Sequence, residues 1–289
     1  MVSARVRLPV AIVSLDVAML STERANHIRQ LVAAQTSVPA ANIVLSCTHT
    51  HTTPYTGRRV PANLGAGHPA YLEAFDHLVA GAAVEAWHDR RPVAIGAAST
   101  EVKGVSINRR DPALPADPQL GVIRVDDADG RLMPCLVNFA CHGTSVGTHY
   151  LLWSADFPGF LARAVEEAEP DCTCLFLQGA EGDIHRWDFY FGNENPRWGD
   201  TYDGSERLGK AIAGPAIGLL QQIATRSSAE IRGRRAPLPC PRGRSAGAPK
   251  KLRPMRPRSR PESSLTPAPP YRMAAWAVCR RNASPMHTC

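Results

Sequence analysis

Asn42-Ile43-Val44-Leu45-Ser46-Cys47-Thr48-His49-Thr50-His51-Thr52-Thr53-Pro54 is an apolar, β-branched run that breaks into polar residues and stops at a proline. Such a run reads as a buried strand opening into a loop. Upstream, Val10-Ala11-Ile12-Val13-Ser14-Leu15-Asp16-Val17 is apolar nearly throughout, as expected of a strand covered on both faces. Between the two, Ser21 or Thr22 can cap a helix whose Ile28, Leu31 and Val32 form a one-sided stripe. Strand, helix and strand in about forty residues is the βαβ pattern, which predicts an α/β fold: a mixed, largely parallel sheet flanked by helices.

In an extended segment, side chains two apart point the same way, so His49 and His51 can face one cleft at the strand's carboxyl end. Open α/β sheets usually bind ligands there. Imidazole is both a common metal ligand and a common acid/base near neutral pH. The tripeptide alone suits a hydrated loop equally well. Cys47 shares the alternation of His49, which permits a Cys-His nucleophile, although a small apolar thiol is the commoner use of such a position.

Farther along, apolar spacing predicts a helix from Pro69 to Trp87, with Tyr71, Phe75, Leu78 and Val79 inward and Glu73, Asp76 and Glu85 outward. His77 and His88 fall on it as solvent-facing or capping residues. Strands are expected over Pro92–Ala98 and Thr100–Val105, the second ending in the polar turn Asn108-Arg109-Arg110. Leu120–Val125 and Leu132–Phe139 flank Asp129-Gly130 and read as a tight hairpin. Its second strand runs into Cys141-His142-Gly143-Thr144, so a third histidine closes an apolar strand. Ser154 or Asp156 can cap the next helix, which turns Phe160, Leu161, Ala164 and Val165 inward.

A buried strand, Thr173–Leu177, then opens into Gln178-Gly179-Ala180-Glu181-Gly182-Asp183-Ile184-His185. An aromatic loop from Trp187 to Trp198 suits a substrate wall, and a helix from Ser205 to Ile223 closes the ordered part.

With 289 residues, 44% hydrophobic and 20% charged, the chain has the composition of a soluble globular protein. No apolar run is long enough for a transmembrane segment. The net charge of +7 is unevenly placed: from Ile231 onward there are 14 basic residues against Glu262, leaving 19 basic and 25 acidic residues before it. Basicity therefore belongs to the end and carries no argument for specific nucleic-acid binding by the folded part. That end has eleven prolines from Pro237 to Pro285 and is expected to be disordered. It reads either as a basic arm or as an out-of-frame end, and the expected division is a domain over 1–235 and a tail over 236–289.

The eight cysteines include no C-x-x-C pair, so neither a dense disulfide framework nor that redox motif is indicated. The basic start, Met1 to Pro9, is followed by an apolar run that Asp16 interrupts without a cleavage pattern. Cytoplasmic residence is the default expectation.

Three strand-end motifs, T-H-T-H-T-T-P, N-F-A-C-H-G-T-S and Q-G-A-E-G-D, stand in one order with the N-R-R turn. Together they resemble the amino-terminal catalytic domain of the neutral/alkaline non-lysosomal ceramidases, over about residues 10 to 235. The resemblance implies a zinc amidohydrolase that cleaves the amide of ceramide to sphingosine and a fatty acid, in a family often secreted. It implies Zn2+ on His49 and His142, with His51 and Arg109 in catalysis, and a lipid or N-acyl amide substrate. Asp183 and His185, also candidate catalytic residues, fall where the family has G-D-V-S-P-N, whose serine is replaced here, and Thr52-Thr53-Pro54 replaces S-G-P. The family's glutamate and tyrosine ligands come from a later region without counterpart here, which suggests a truncated member. Asp16, Asp156, Asp183 and His185 are the candidates for a third ligand. A different polar amide or ester substrate, or an inactive remnant, are the alternative readings.

Overall fold

The computed structural model describes residues 9–56, 69–147, 150, 152–191, 201–227 and 274–278. The predicted βαβ unit is present: β1 (Val10–Leu15), α1 (Thr22–Gln35) and β2 (Ile43–Cys47). Strands β1 and β2 pair in parallel from Ala11 with Ile43 to Leu15 with Cys47. Ser21 caps α1, its side chain accepting from the Arg24 amide, and Glu23 sits in the positive first turn. Ile28 and Val32 carry the buried face.

The helix α2 (Pro69–His88) packs on α1, but its inner face is rotated from the one expected. Leu78 is 57% exposed, whereas Asp76, expected outside, is buried. Arg24 explains the difference, donating from Nη1 to the Leu72 carbonyl at 2.7 Å and to Asp76 Oδ1 at 2.6 Å. This pair draws the Asp76 side inward, and Val79, Ala80, Ala83 and Trp87 bury the rest of that face. His77 and His88 are exposed, as expected.

A second sheet follows. Its strands are β3 (Ala94–Glu101), β5 (Gln119–Asp126), β6 (Leu132–Phe139) and β7 (Thr173–Gln178), in the order β3-β5-β6-β7. A short strand, β4 (Ser106–Asn108), pairs antiparallel with β8 (Ile184–Arg186). One strand, β3, thus covers most of the two strands expected here, and the chain turns at Gly104, with φ +74°, before β4 and the Asn108-Arg109-Arg110 turn. The β3-β5 and β5-β6 pairs are antiparallel and β6-β7 is parallel, so the sheet is mixed and not largely parallel. A tight turn at Gly130, with φ +80°, imposes the reversal between β5 and β6.

The β6 to β7 crossover is α3 (Asp156–Ala168), which packs against α5 (Tyr202–Leu220). A four-residue helix, α4 (Asp188–Phe191), follows β8, and the rest of the expected aromatic loop lies outside the described residues. Phe157, Leu161, Val165, Leu208 and Ile212 form the core of that layer with Val137, Phe139 and Phe176. Within the segment expected to form the tail, the described residues Ala274–Val278 form β9, antiparallel to β1. β9 takes the edge of β1 that β2 leaves, where backbone groups are a template for an added strand.

The two sheets meet where Ser14 Oγ donates to the Phe176 carbonyl at 2.5 Å, joining β1 to β7. Both parallel pairs therefore bring their carboxyl ends to one side of the molecule. The α3-α5 contact depends on a glycine: a Cβ at Gly209 would lie 2.7 Å from Leu161 N and 2.8 Å from Phe157 O and Phe160 Cβ. Gly209→Ala is expected to cost about 1–3 kcal/mol in urea unfolding by overpacking. Gly218→Ala, in open space on the same helix, should instead stabilise by up to about 1 kcal/mol. Equal effects at the two positions would refute this account of the packing.

Candidate metal centre

Three of the predicted histidines converge. His49 Nε2 lies 3.1 Å from His142 Nε2 and 3.2 Å from His51 Nε2, and one ligand atom from each ring lies within 4.8 Å of the others. Regular strand alternation is not what aligns the first two. His49 lies two residues beyond β2 with φ 61°, a left-handed conformation that non-glycine residues seldom adopt. Its amide donates to the Val17 carbonyl at 3.2 Å, and the His51 amide donates to the Gly143 carbonyl at 3.0 Å. Gly143 is required here, because a Cβ would stand 2.7 Å from the His49 carbonyl oxygen.

The loop is held from its far side as well. Thr50 and Thr52 hydroxyls donate to the Ser154 carbonyl at 2.8 and 3.0 Å, and the Ser154 amide donates to the Thr52 carbonyl. Asp156 anchors the stretch beyond His142. Its carboxylate accepts from the Ser145 and Val146 amides and the Ser145 hydroxyl. It also accepts from the Phe157 amide at the start of α3. Fully buried and committed to these donors, Asp156 serves the loop.

The ring tautomers follow from the partners. His49 Nδ1 faces the Ala18 carbonyl at 2.7 Å, and His142 Nδ1 faces the Glu181 carbonyl at 3.1 Å. A carbonyl oxygen only accepts, so both Nδ1 atoms carry hydrogen and both Nε2 atoms present lone pairs to each other. Neutral rings so arranged cannot hydrogen-bond across 3.1 Å. A shared cation resolves the opposition, and two nitrogens at about 2.0–2.1 Å from one tetrahedral zinc are about 3.3–3.4 Å apart. Burial pushes His142 below the usual imidazole range, which works against the alternative of an extra proton. The donor set therefore fits a divalent metal of the kind imidazole binds.

His51 is the exposed member of the three. Although it keeps solvent access, partial desolvation of its ring inside the cluster, reinforced by His49, His142 and Arg109, pushes it down to about 4. Arg109 is tied by Nε and Nη2 to the Gly182 carbonyl at 3.0 and 2.6 Å, and its amide donates to the Asp183 carbonyl. Asp183 Oδ2 accepts from Asn108 Nδ2 at 2.9 Å, so its carboxylate fixes the N-R-R turn.

His185 is buried and lies flat against His142, with ring centroids 5.6 Å apart. Its Nδ1 accepts from the Arg186 amide, so Nε2 carries the hydrogen and donates to Thr144 Oγ1 at 2.6 Å. With both nitrogens engaged, His185 forms a wall beneath His142, and burial pushes it well below its usual range. Burial also pushes Cys47 up to about 12, which keeps it a protonated, unreactive thiol.

Glu181 is the residue that sequence reasoning passed over. Besides its carbonyl on His142, it places Oε1 3.8 Å from His49 Nδ1, adding negative charge behind the ring. Its only sequence signal is an acid between small residues at a strand end.

No protein-family profile and no curated protein matches the sequence. Among solved structures the chain is similar to the neutral ceramidase of Pseudomonas aeruginosa, with TM-score 0.60 and 21% identity over 77% of this chain and 38% of that one. A ceramidase complexed with C2 matches with TM-score 0.61 and 20% identity, covering 78% of this chain and 37% of that one. The likeness is one of fold, and the chain spans less than two-fifths of either structure's length.

Asp16, just past β1, is not among the converging ligands of the described residues. Burial raises its carboxyl from 3.8 to about 7. An acid so raised costs stability once ionised, so its contribution is best below about pH 4 and worsens as pH rises through about 7. Asp16→Asn, which cannot ionise, is expected to raise the Tm of metal-free protein most at pH 8.5 and by clearly less at pH 5, where only part of the cost between about pH 4 and 7 has accrued. The same shift at both pH values would mean that the carboxyl titrates normally.

Proposed function

We propose that the chain is a zinc-dependent amidohydrolase of the neutral ceramidase type, acting on the amide of an N-acyl lipid such as ceramide. The observation that carries this reading is the pair of Nε2 lone pairs 3.1 Å apart at the convergence of two strand ends. The fold likeness to ceramidase structures supports it.

His49 and His142 would hold the ion. A zinc ion so held supplies a water with pKa near 7 and polarises an oxygen of the substrate. The remaining steps belong to the protein. Neutral at pH 7, His51 accepts the proton released as water adds to the carbonyl carbon. As the C–N bond breaks, the same nitrogen returns that proton to the departing amine, leaving a carboxylic acid and an amine. Arg109, fixed on the Gly182 carbonyl, places positive charge near the imidazoles of His51 and His142 and stabilises the oxyanion. Asp183 positions Arg109 through the β4-β8 ladder, and His185 fixes the plane of the His142 ring.

A more polar amide or ester is the second reading. It is favoured by His185 standing where the resembled family has a serine, since both of its nitrogens are engaged and offer no equivalent hydroxyl.

Purified protein is expected to carry about one equivalent of zinc by elemental analysis and to hydrolyse a fluorogenic N-acyl amide. A chelator should abolish turnover and added Zn2+ should restore it. His49→Ala and His142→Ala should each lose the metal, whereas His51→Ala should retain it and lose about 10²–10⁴-fold in kcat, the usual worth of a general acid/base. Metal retained by both ligand variants, or hydrolysis undiminished by chelation, would overturn the proposal. A preference for short polar amides in a substrate panel would move the assignment to the second reading.

A further inference from the structure

The side chain of Gln178, the last residue of β7, lies between the two histidine-bearing segments. Its Nε2 donates to the Thr48 carbonyl at 2.9 Å and to the Cys141 carbonyl at 2.9 Å. Thr48 immediately precedes His49, and Cys141 immediately precedes His142. On the other side, Oε1 accepts from the Gly179 amide at 3.1 Å and lies 3.4 Å from the Cys141 amide nitrogen. The amide orientation is forced, because exchanging its ends would set oxygen against two carbonyl oxygens.

Only a planar group with two donors on one nitrogen serves both carbonyls at once. The bond lengths from that nitrogen limit how far the end of β2 and the end of β6 can separate. Gly179 allows the approach: a Cβ there would stand 2.9 Å from both the backbone nitrogen and the Cβ of Ala140. Its amide also continues the pairing by donating to the Phe139 carbonyl at 2.9 Å. Three residues after Gln178, the Glu181 carbonyl orients the His142 ring. One short segment therefore controls both the separation of the two backbones and the rotation of one imidazole.

We infer that Gln178 is the positioning residue that sets the spacing of His49 and His142, and so tunes how tightly the pair takes a divalent cation. This rests on the metal-centre reading above and adds a residue that touches neither ion nor substrate. Carbonyls two bonds upstream of each histidine are pinned to one nitrogen, so a lost donor lets the two Nε2 atoms drift from a common centre.

The test is metal affinity, measured in full-length protein by competition with a chromophoric zinc chelator, together with the visible spectrum of the Co2+ form. Gln178→Glu keeps the shape and removes both donors, and Gln178→Met removes them without adding charge. Each is expected to weaken zinc about 10–100-fold, as loss of supporting contacts to ligands does. The Co2+ bands should move in both variants. Melting of the metal-free proteins separates the alternatives: a purely structural role would lower the metal-free Tm and leave affinity and spectrum unchanged, overturning the inference. If either variant does not fold, the other decides. Absence of zinc binding by the wild-type protein would instead refute the metal centre itself, a result distinct from equal binding by wild type and variants.

Discussion

Two carbonyl oxygens fix the chemistry of this molecule. By accepting from Nδ1 of His49 and of His142, Ala18 and Glu181 turn two imidazoles so that their remaining lone pairs meet 3.1 Å apart. Such an arrangement is unfavourable by itself and becomes favourable around a cation. The surroundings push the same way, since burial disfavours protonation of His51, His142 and His185 alike. Relief of that opposition is a differential free energy available to a bound metal.

The fold delivers those carbonyls. Two crossover units, β1-α1-β2 and β6-α3-β7, each set a parallel pair, and the Ser14 to Phe176 bond places the pairs side by side. Their carboxyl ends become one rim where Ala18, His49, His142 and Glu181 arrive from four different strand ends. No local segment holds both His49 and His142, so the histidine cluster is a property of the assembled core. The site is therefore coupled to global packing, and the clearest instances are glycines: Gly143 lets the His49 loop touch the His142 loop, and Gly179 lets β7 touch β6.

Much of this was legible in the amino-acid pattern, and the failures have physical causes. The first βαβ unit, the β5-β6 hairpin and the main helices follow from apolar period and turn chemistry, which are local. Strand direction in the second sheet is not local, and alternation looks the same in parallel and antiparallel pairs. The face of α2 was misjudged because an ion pair with Arg24 outweighed the hydropathy of Leu78. Histidines at strand ends could be singled out because a titratable side chain after an apolar run is conspicuous. Glu181 could not, since half of its contribution comes from its backbone carbonyl, which every residue has. His49 reached the same cleft as His51 through a left-handed turn and not through strand alternation, a conformation that composition does not announce.

That turn also bears on how the site persists. A non-glycine residue at φ 61° costs of order 1–3 kcal/mol and survives only where its surroundings over-determine it. Here they do: the His49 amide is held by Val17, its ring by Ala18, and the residues after it by Gly143 and Ser154. Asp156, itself at φ 58°, holds the facing loop through three backbone amides and the Ser145 hydroxyl. Two strained residues thus serve the loops that carry the imidazoles, His49 within one and Asp156 bonded to Ser145 and Val146 of the other, each locked by a dense set of hydrogen bonds. A relaxed backbone at either place would swing one ring away from the others. Strain and lone-pair opposition are accordingly concentrated in the same few residues, where a bound cation can offset them and the rest of the core can remain regular.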